Sequence, residues 1–209
     1  MTTEKLAWQG RVISVQPRIR LLRSFDQRSH SYLGYVLQID GVIGGETRTF
    51  TVGIGKVAHA KHNFRNGDQV SGVCVPAADP NQEPAEFYKV SRLKLVSRGS
   101  APHEPPPPWQ GVAPDLDKYR QRGHRRLAAR TYTTKCISCI WGCRMAVEII
   151  VDHWNPSQRR YRTETFCYGP KRCPFYQPGP QRTVPGRRGM VWVEEDWIDE
   201  EATSQRDDE

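Results

Sequence analysis

The sequence predicts a mainly β protein in two parts. A five-stranded barrel with one helix occupies residues 1–98, and a small hairpin domain gripped by cysteines lies within residues 116–193. Three observations carry this. Residues 7–98 alternate short apolar runs with turn-forming residues; one segment at 56–64 breaks that rhythm; and five of the six cysteines fall within 38 residues around a second pair of strand-like runs.

The strands are expected at 8–15 with an extension through Leu22, and at 31–39, 48–54, 70–75 and 87–96. Between them sit Asp40-Gly41, Gly44-Gly45, Asn66-Gly67-Asp68 and the stretch from Pro76 to Pro84, which are turn formers. In 31–39 the alternate positions Leu33, Tyr35, Leu37 and Ile39 are apolar, and Phe50, Val52 and Ile54 repeat the pattern, as in a sheet with one buried face. Residues 56–64 contain neither Gly nor Pro and place Val57, Ala60, Lys61 and Phe64 on one side of a helix. Five strands with a helix between the third and fourth resemble the OB-fold, a small Greek-key barrel. Gly10, Gly34, Gly53 and Gly72, inside strands, suit its tightly coiled walls.

Residues 99–115 read as a linker, since the four consecutive prolines Pro105 to Pro108 cannot donate backbone hydrogen bonds. Residues 115–130 then read as a basic helix with Asp115 as its N-cap.

The formal charge of +8 is unevenly placed. Residues 194–209 hold nine acids and one arginine, which leaves thirty basic against fourteen acidic residues in 1–193, a balance of +16. Residues 116–193 alone carry sixteen Lys and Arg against four acids. Such a surface attracts a polyanion and releases its counterions, and nucleic acid is the commonest partner of that kind.

The cysteines Cys136, Cys139, Cys143, Cys167 and Cys173 follow the spacing C-x2-C-x3-C-x23-C-x5-C. Runs at 145–154 and 161–166, separated by Asn155-Pro156-Ser157-Gln158, predict a hairpin that brings both cysteine groups to its open end. Paired cysteines flanking a β hairpin resemble a zinc ribbon, and the second pair departs from it in being C-x5-C. A tetrahedral Zn2+ would be served by Cys136, Cys139, Cys167 and Cys173. The rival cofactor is a 4Fe–4S iron–sulfur cluster on Cys136, Cys139, Cys143 and Cys173, favoured by nearby Trp141, Phe166, Tyr168 and Phe175. The metal's expected job is structural, stapling a segment poor in aliphatic residues. Cys74 is expected to be a buried core thiol, and His153 no ligand.

No phosphate-cradling loop, H-E-x-x-H, G-x-S-x-G or zinc-deaminase pattern is present, so the sequence points to a binding protein and not to an enzyme. OB barrels commonly bind single strands. The expected contact residues are Arg18, Arg20, Arg23 and Tyr32 on the barrel, and Arg125, Arg126, Arg159, Arg160, Arg162, Lys171 and Arg172 in the second half. The acidic tail, with Trp192 and Trp197, could dock on a basic groove or on a partner protein, and its last residues, 202–209, read as disordered. The alternative function is a protein-interaction scaffold working through that tail or the proline-rich linker, and a redox or sensing role for an iron–sulfur cluster is the third. With no apolar run near 18 residues and no signal-like N-terminus, a cytoplasmic protein with no membrane contact is expected.

Overall fold

A computed structural model describes residues 4–100 and 107–206. The first half is a closed ring of five strands. Strand β1 (Leu6–Ser24) pairs antiparallel with β2 (Arg28–Ile43), β2 with β3 (Glu46–Ile54), and β4 (Gln69–Pro76) with both β5 (Phe87–Ser97) and β1. The Val52 to Phe87 pairing of β3 and β5 closes the circle. Helix α1 (Lys56–His62) lies between β3 and β4, where the absence of Gly and Pro predicts it.

The ring forms because alternate side chains of each strand are apolar and converge. Trp8, Val12, Val15, Ile19, Tyr35, Leu37, Ile39, Phe50, Val52 and Val70 are all buried in one core with Phe64. At Leu33 the alternation slips: Arg18 pairs with Gly34 and Ile19 with Tyr32, so Leu33 is the extra residue of a bulge. Asp40-Gly41 is not a turn but an interior part of β2. Gly41 faces Gly10 so closely that a Cβ on it would stand 2.2 Å from the Gln9 carbonyl oxygen. The turn falls instead at Gly44-Gly45, and β2 is longer than its sequence pattern suggests.

In the second half, helix α2 (Leu116–Arg122) stops well short of residue 130. Gly123 has φ +65°, and a Cβ there would collide with the Ala202 carbonyl oxygen at 1.8 Å, so the chain turns into the short strand β6 (Arg125–Arg126). Helix α3 (Ala129–Thr131) runs into a wider π turn at Tyr132–Cys136. The expected hairpin follows as β7 (Gly142–Ile150) and β8 (Arg159–Cys167). A two-stranded sheet, β9 (Arg182–Pro185) with β10 (Val191–Glu194), and helix α4 (Asp196–Ala202) complete it.

Both halves belong to one eight-stranded sheet, because the end of β1, Arg20 to Ser24, pairs in parallel with Ala146 to Ile150 of β7. The chain approaching α2 is packed as well: Tyr35 donates its hydroxyl to the Pro114 carbonyl at 2.8 Å, and Ile140 donates its amide to the Trp109 carbonyl at 2.8 Å. No described helix is long and apolar enough to cross a membrane.

Candidate functional site

The arginines divide into those consumed by the fold and those presented to solvent. Arg23, with 1% of its side chain exposed, bridges Glu164 (3.2 Å) and Glu194 (2.8 Å). Arg182 and Arg162 also meet Glu164, at 2.7 and 2.6 Å, and Arg28 meets Glu194 at 3.2 Å. This network ties β1, β8, β9 and β10 together in the interior. Arg126, equally buried, holds Asp196 and Asp199 of α4. The acidic segment therefore docks within its own molecule as an ordered helix, with Thr203 and Arg206 buried beyond it; 207–209 lie outside the described residues.

Arg18 is paired with Glu83, and Tyr32 is half-buried and covered by the Arg120 guanidinium 4.8 Å from its ring. Arg125 lies over the Tyr176 ring, its Cζ 3.3 Å from the ring centre, and donates to the Pro170 and Lys171 carbonyls. Lys171 is half-buried beside them, while Arg160 and Arg172 are exposed.

A different set shares one face. Register aligns Arg20 and Leu22 of β1 with Ala146 and Glu148 of β7, which in turn align with Thr163 and Tyr161 of β8. Side chains two apart along a strand point the same way, so Arg144 and Arg159 join this face. Leu22 is 37% exposed, Tyr161 36%, and Arg144 is exposed. Arg159 reaches Glu148 at 2.5 Å, and Arg20 lies 4.0 Å from Glu83 with about a third of its side chain open. At the hairpin tip Trp154 is 81% exposed, with the Arg187 guanidinium 5.3 Å from its ring. Within this face Ala146 and Glu148 are buried, as are Val147, Ile149, Arg23 and Glu164 on the opposite face. Sequence reading finds Arg20 and Arg159 but misses Arg144 and Trp154. Their grouping depends on the parallel pairing of β1 with β7, more than 120 residues apart, which no local pattern announces.

The cysteines separate into four and one. Cys136, Cys139 and Cys167 lie in one buried cluster with Leu127 and Tyr132, walled by Trp109, Trp141 and Tyr176. Cys173, half-exposed, acts electrostatically on Cys136 and Cys139 and is acted on by Cys167. Burial pushes the Cys136 thiol up to about 12 and the Cys139 thiol up to about 11, with the neighbouring sulfurs adding. Cys143 points elsewhere, to the packing between β7 and the barrel, where its thiol donates to the Pro17 carbonyl at 3.4 Å. The iron–sulfur set that includes Cys143 is therefore not gathered. Among the described residues, no three His, Cys, Asp or Glu side chains are drawn tightly enough to hold a metal ion. Cys74 is buried in the barrel, and His153 is exposed, 3.7 Å from Asp26.

The C-x2-C turn is fastened to the barrel by Gln16, a residue with no sequence signal. Its Nε2 donates to the carbonyls of Cys136 (2.9 Å), Ile137 (3.2 Å) and Cys139 (2.9 Å), and its Oε1 accepts from the Tyr132 hydroxyl at 2.6 Å. Residues Ser14, Val15, Gln16 and Pro17 of β1 are consequently buried on both faces. Comparison with known proteins gives no matching family model, no matching curated protein and no matching solved structure.

Proposed function

We propose that this protein binds single-stranded nucleic acid on the open face of the β1–β7–β8 sheet. The observation that carries the reading is the composition of that face: Tyr161 and Leu22 lie among Arg20, Arg144 and Arg159, with Trp154 at the rim. Single-strand binders combine a cationic track for phosphates with aromatic rings on which bases stack, and such stacking tolerates any base. The strand order of the ring, with α1 between β3 and β4, supports an OB-type barrel beside it, although Arg23 and Arg126 have no surface to offer a ligand.

The test is binding of labelled single-stranded DNA and RNA oligonucleotides across a salt series. Three phosphate contacts predict that log affinity falls against log salt with a slope of about −2. Tyr161→Ala should weaken binding by about 1–3 kcal/mol, and Arg159→Ala should flatten the slope by about 0.7. Absent binding, or binding indifferent to salt, defeats the reading.

A second reading, protein docking, rests on a cavity of about 280 Å3 lined by Phe25, Trp192, Trp197 and Ile198, with exposed Val191 and Val193 nearby. Partners recovered after nuclease treatment and lost in Trp197→Ala would favour it over the first.

A further inference from the structure

We propose that Cys136, Cys139, Cys167 and Cys173 form a structural tetrathiolate site for one zinc ion, and that Cys143 stands outside it. This site is independent of the nucleic-acid reading, and either can fail without the other.

The argument begins with the backbone. The four sulfurs arrive from two stretches about thirty residues apart. Cys136 and Cys139 bracket a turn closed by the Cys139 amide donating to the Cys136 carbonyl at 3.1 Å, and the Gly142 amide then donates to the Cys139 carbonyl at 3.1 Å. Strand pairing sets Cys167 directly opposite Gly142, at the mouth of that turn. Cys173 sits in a second tight turn, in which the Tyr176 amide donates to the Cys173 carbonyl at 3.1 Å.

A backbone amide also points at one sulfur: Gly169 donates to Cys167 Sγ at 3.3 Å. An amide aimed at sulfur stabilises the thiolate, the form that ligates a metal.

Charge is matched too. Four thiolates and one Zn2+ leave a net charge of −2, and two guanidiniums stand beside them. Arg125 donates to the Pro170 and Lys171 carbonyls, at 2.8 and 3.1 Å, in the loop that leads to Cys173, and buried Arg206 donates to the Cys167 carbonyl at 2.9 Å and the Gly169 carbonyl at 2.6 Å. These partners orient the loops that bear the ligands, as outer-shell groups of metal sites do. With no three of these side chains at metal-binding distance, the ion would draw the sulfurs inward on binding.

Four sulfurs with no open position and no adjacent carboxylate suit a closed structural ion. The ion binds with release of the thiol protons and without any redox change.

The test measures metal in the full chain purified anaerobically, with its visible spectrum recorded. The expected result is a colourless protein with about one zinc per chain. Cys143→Ala should retain that zinc, whereas Cys173→Ser, whose half-exposed side chain disturbs the core least, should lose most of it. Should Cys173→Ser fail to fold, the native chain is titrated with a thiol-specific mercurial beside a chromophoric chelator. Zinc release completed by modification of about four thiols then supports the site. Three results overturn the proposal: a folded chain without metal whose four thiols all alkylate freely, a brown protein carrying iron with absorption in the visible, and zinc lost in Cys143→Ala but kept in Cys173→Ser. Oligonucleotide binding measured on the same samples reports separately on the sheet face.

Discussion

At the scale of single residues, buried His124 and its half-buried neighbour His30 set the acid limit of the fold. The two rings lie tilted at 58° with centres 4.7 Å apart, and His124 meets Phe166 edge-on. Burial, then Arg28 and Arg23, lower the His30 pKa to about 4, while Glu194 opposes them. Burial takes His124 well below its ordinary value, with His30, Arg28, Arg23 and Arg182 adding. An unfolded histidine accepts its proton near pH 6.5. As the pH falls from about 6.5 toward 4, the unfolded chain binds protons that the folded chain refuses, so stability declines through that window and is unaffected by this pair above it. The midpoint of chemical denaturation should drop between pH 7 and pH 5, and His124→Phe should remove part of that drop. A midpoint unchanged over this range counts against the account. Neither histidine stands out in the sequence, since His30 sits among polar residues and His124 among arginines. The burial of His124 comes from its packing against Phe166, Tyr168 and His30, far apart in the sequence.

At the scale of elements, the strands of the ring are legible in the sequence because alternation is a local property. Tyr35, Leu37 and Ile39 read inward and are inward, as are Phe50, Val52 and Ile54. What local pattern cannot supply is which strand closes on which, or that Asp40-Gly41 continues a strand because Gly10 faces it. The predicted basic helix shortens for a similar reason: α4 arrives from the far end of the chain and presses on Gly123. The tail shows how charge composition misleads when its complement lies elsewhere in the sequence. Residues 202–209 read as disordered, yet Thr203 and Arg206 are buried, while Glu194 is buried between Arg23 and Arg28 and Asp199 accepts from the Arg126 guanidinium at 2.9 Å. Removing one member of a buried ion cluster strands the others, at a cost of about 3–5 kcal/mol. Glu194→Gln should therefore lower stability by an amount in that range, read from urea denaturation, whereas exposed Glu195→Gln should change it by less than about 0.5 kcal/mol.

At the scale of the whole molecule, the excess of positive charge is partly structural. Arg18, Arg23, Arg126, Arg162 and Arg182 are held by carboxylates, so the net charge overstates what a polyanion would meet. Arg144 and Arg160 stand exposed on the joined sheet beside Arg20 and Arg159, which lie near Glu83 and Glu148. The β7–β8 hairpin that sets Cys167 opposite Gly142 was legible from its turn residues. That the Cys143 thiol turns toward the Pro17 carbonyl was not, because it depends on which face of β7 meets β1.

The one strand common to both halves has a practical consequence. A fragment cut near residue 100 would leave Leu21 to Ser24 with bare amides and carbonyls along an apolar margin, an invitation to sticky self-association. The complementary fragment would lose the Gln16 side chain that fastens its cysteine turn. A protease site inserted between Ser100 and Pro107 should yield two pieces that elute together from gel filtration in native buffer and part only in denaturant. Two independently soluble monomers after such a cut would mean that the seam contributes little. Anyone dissecting this protein by truncation is thus better served by nicking it than by dividing it.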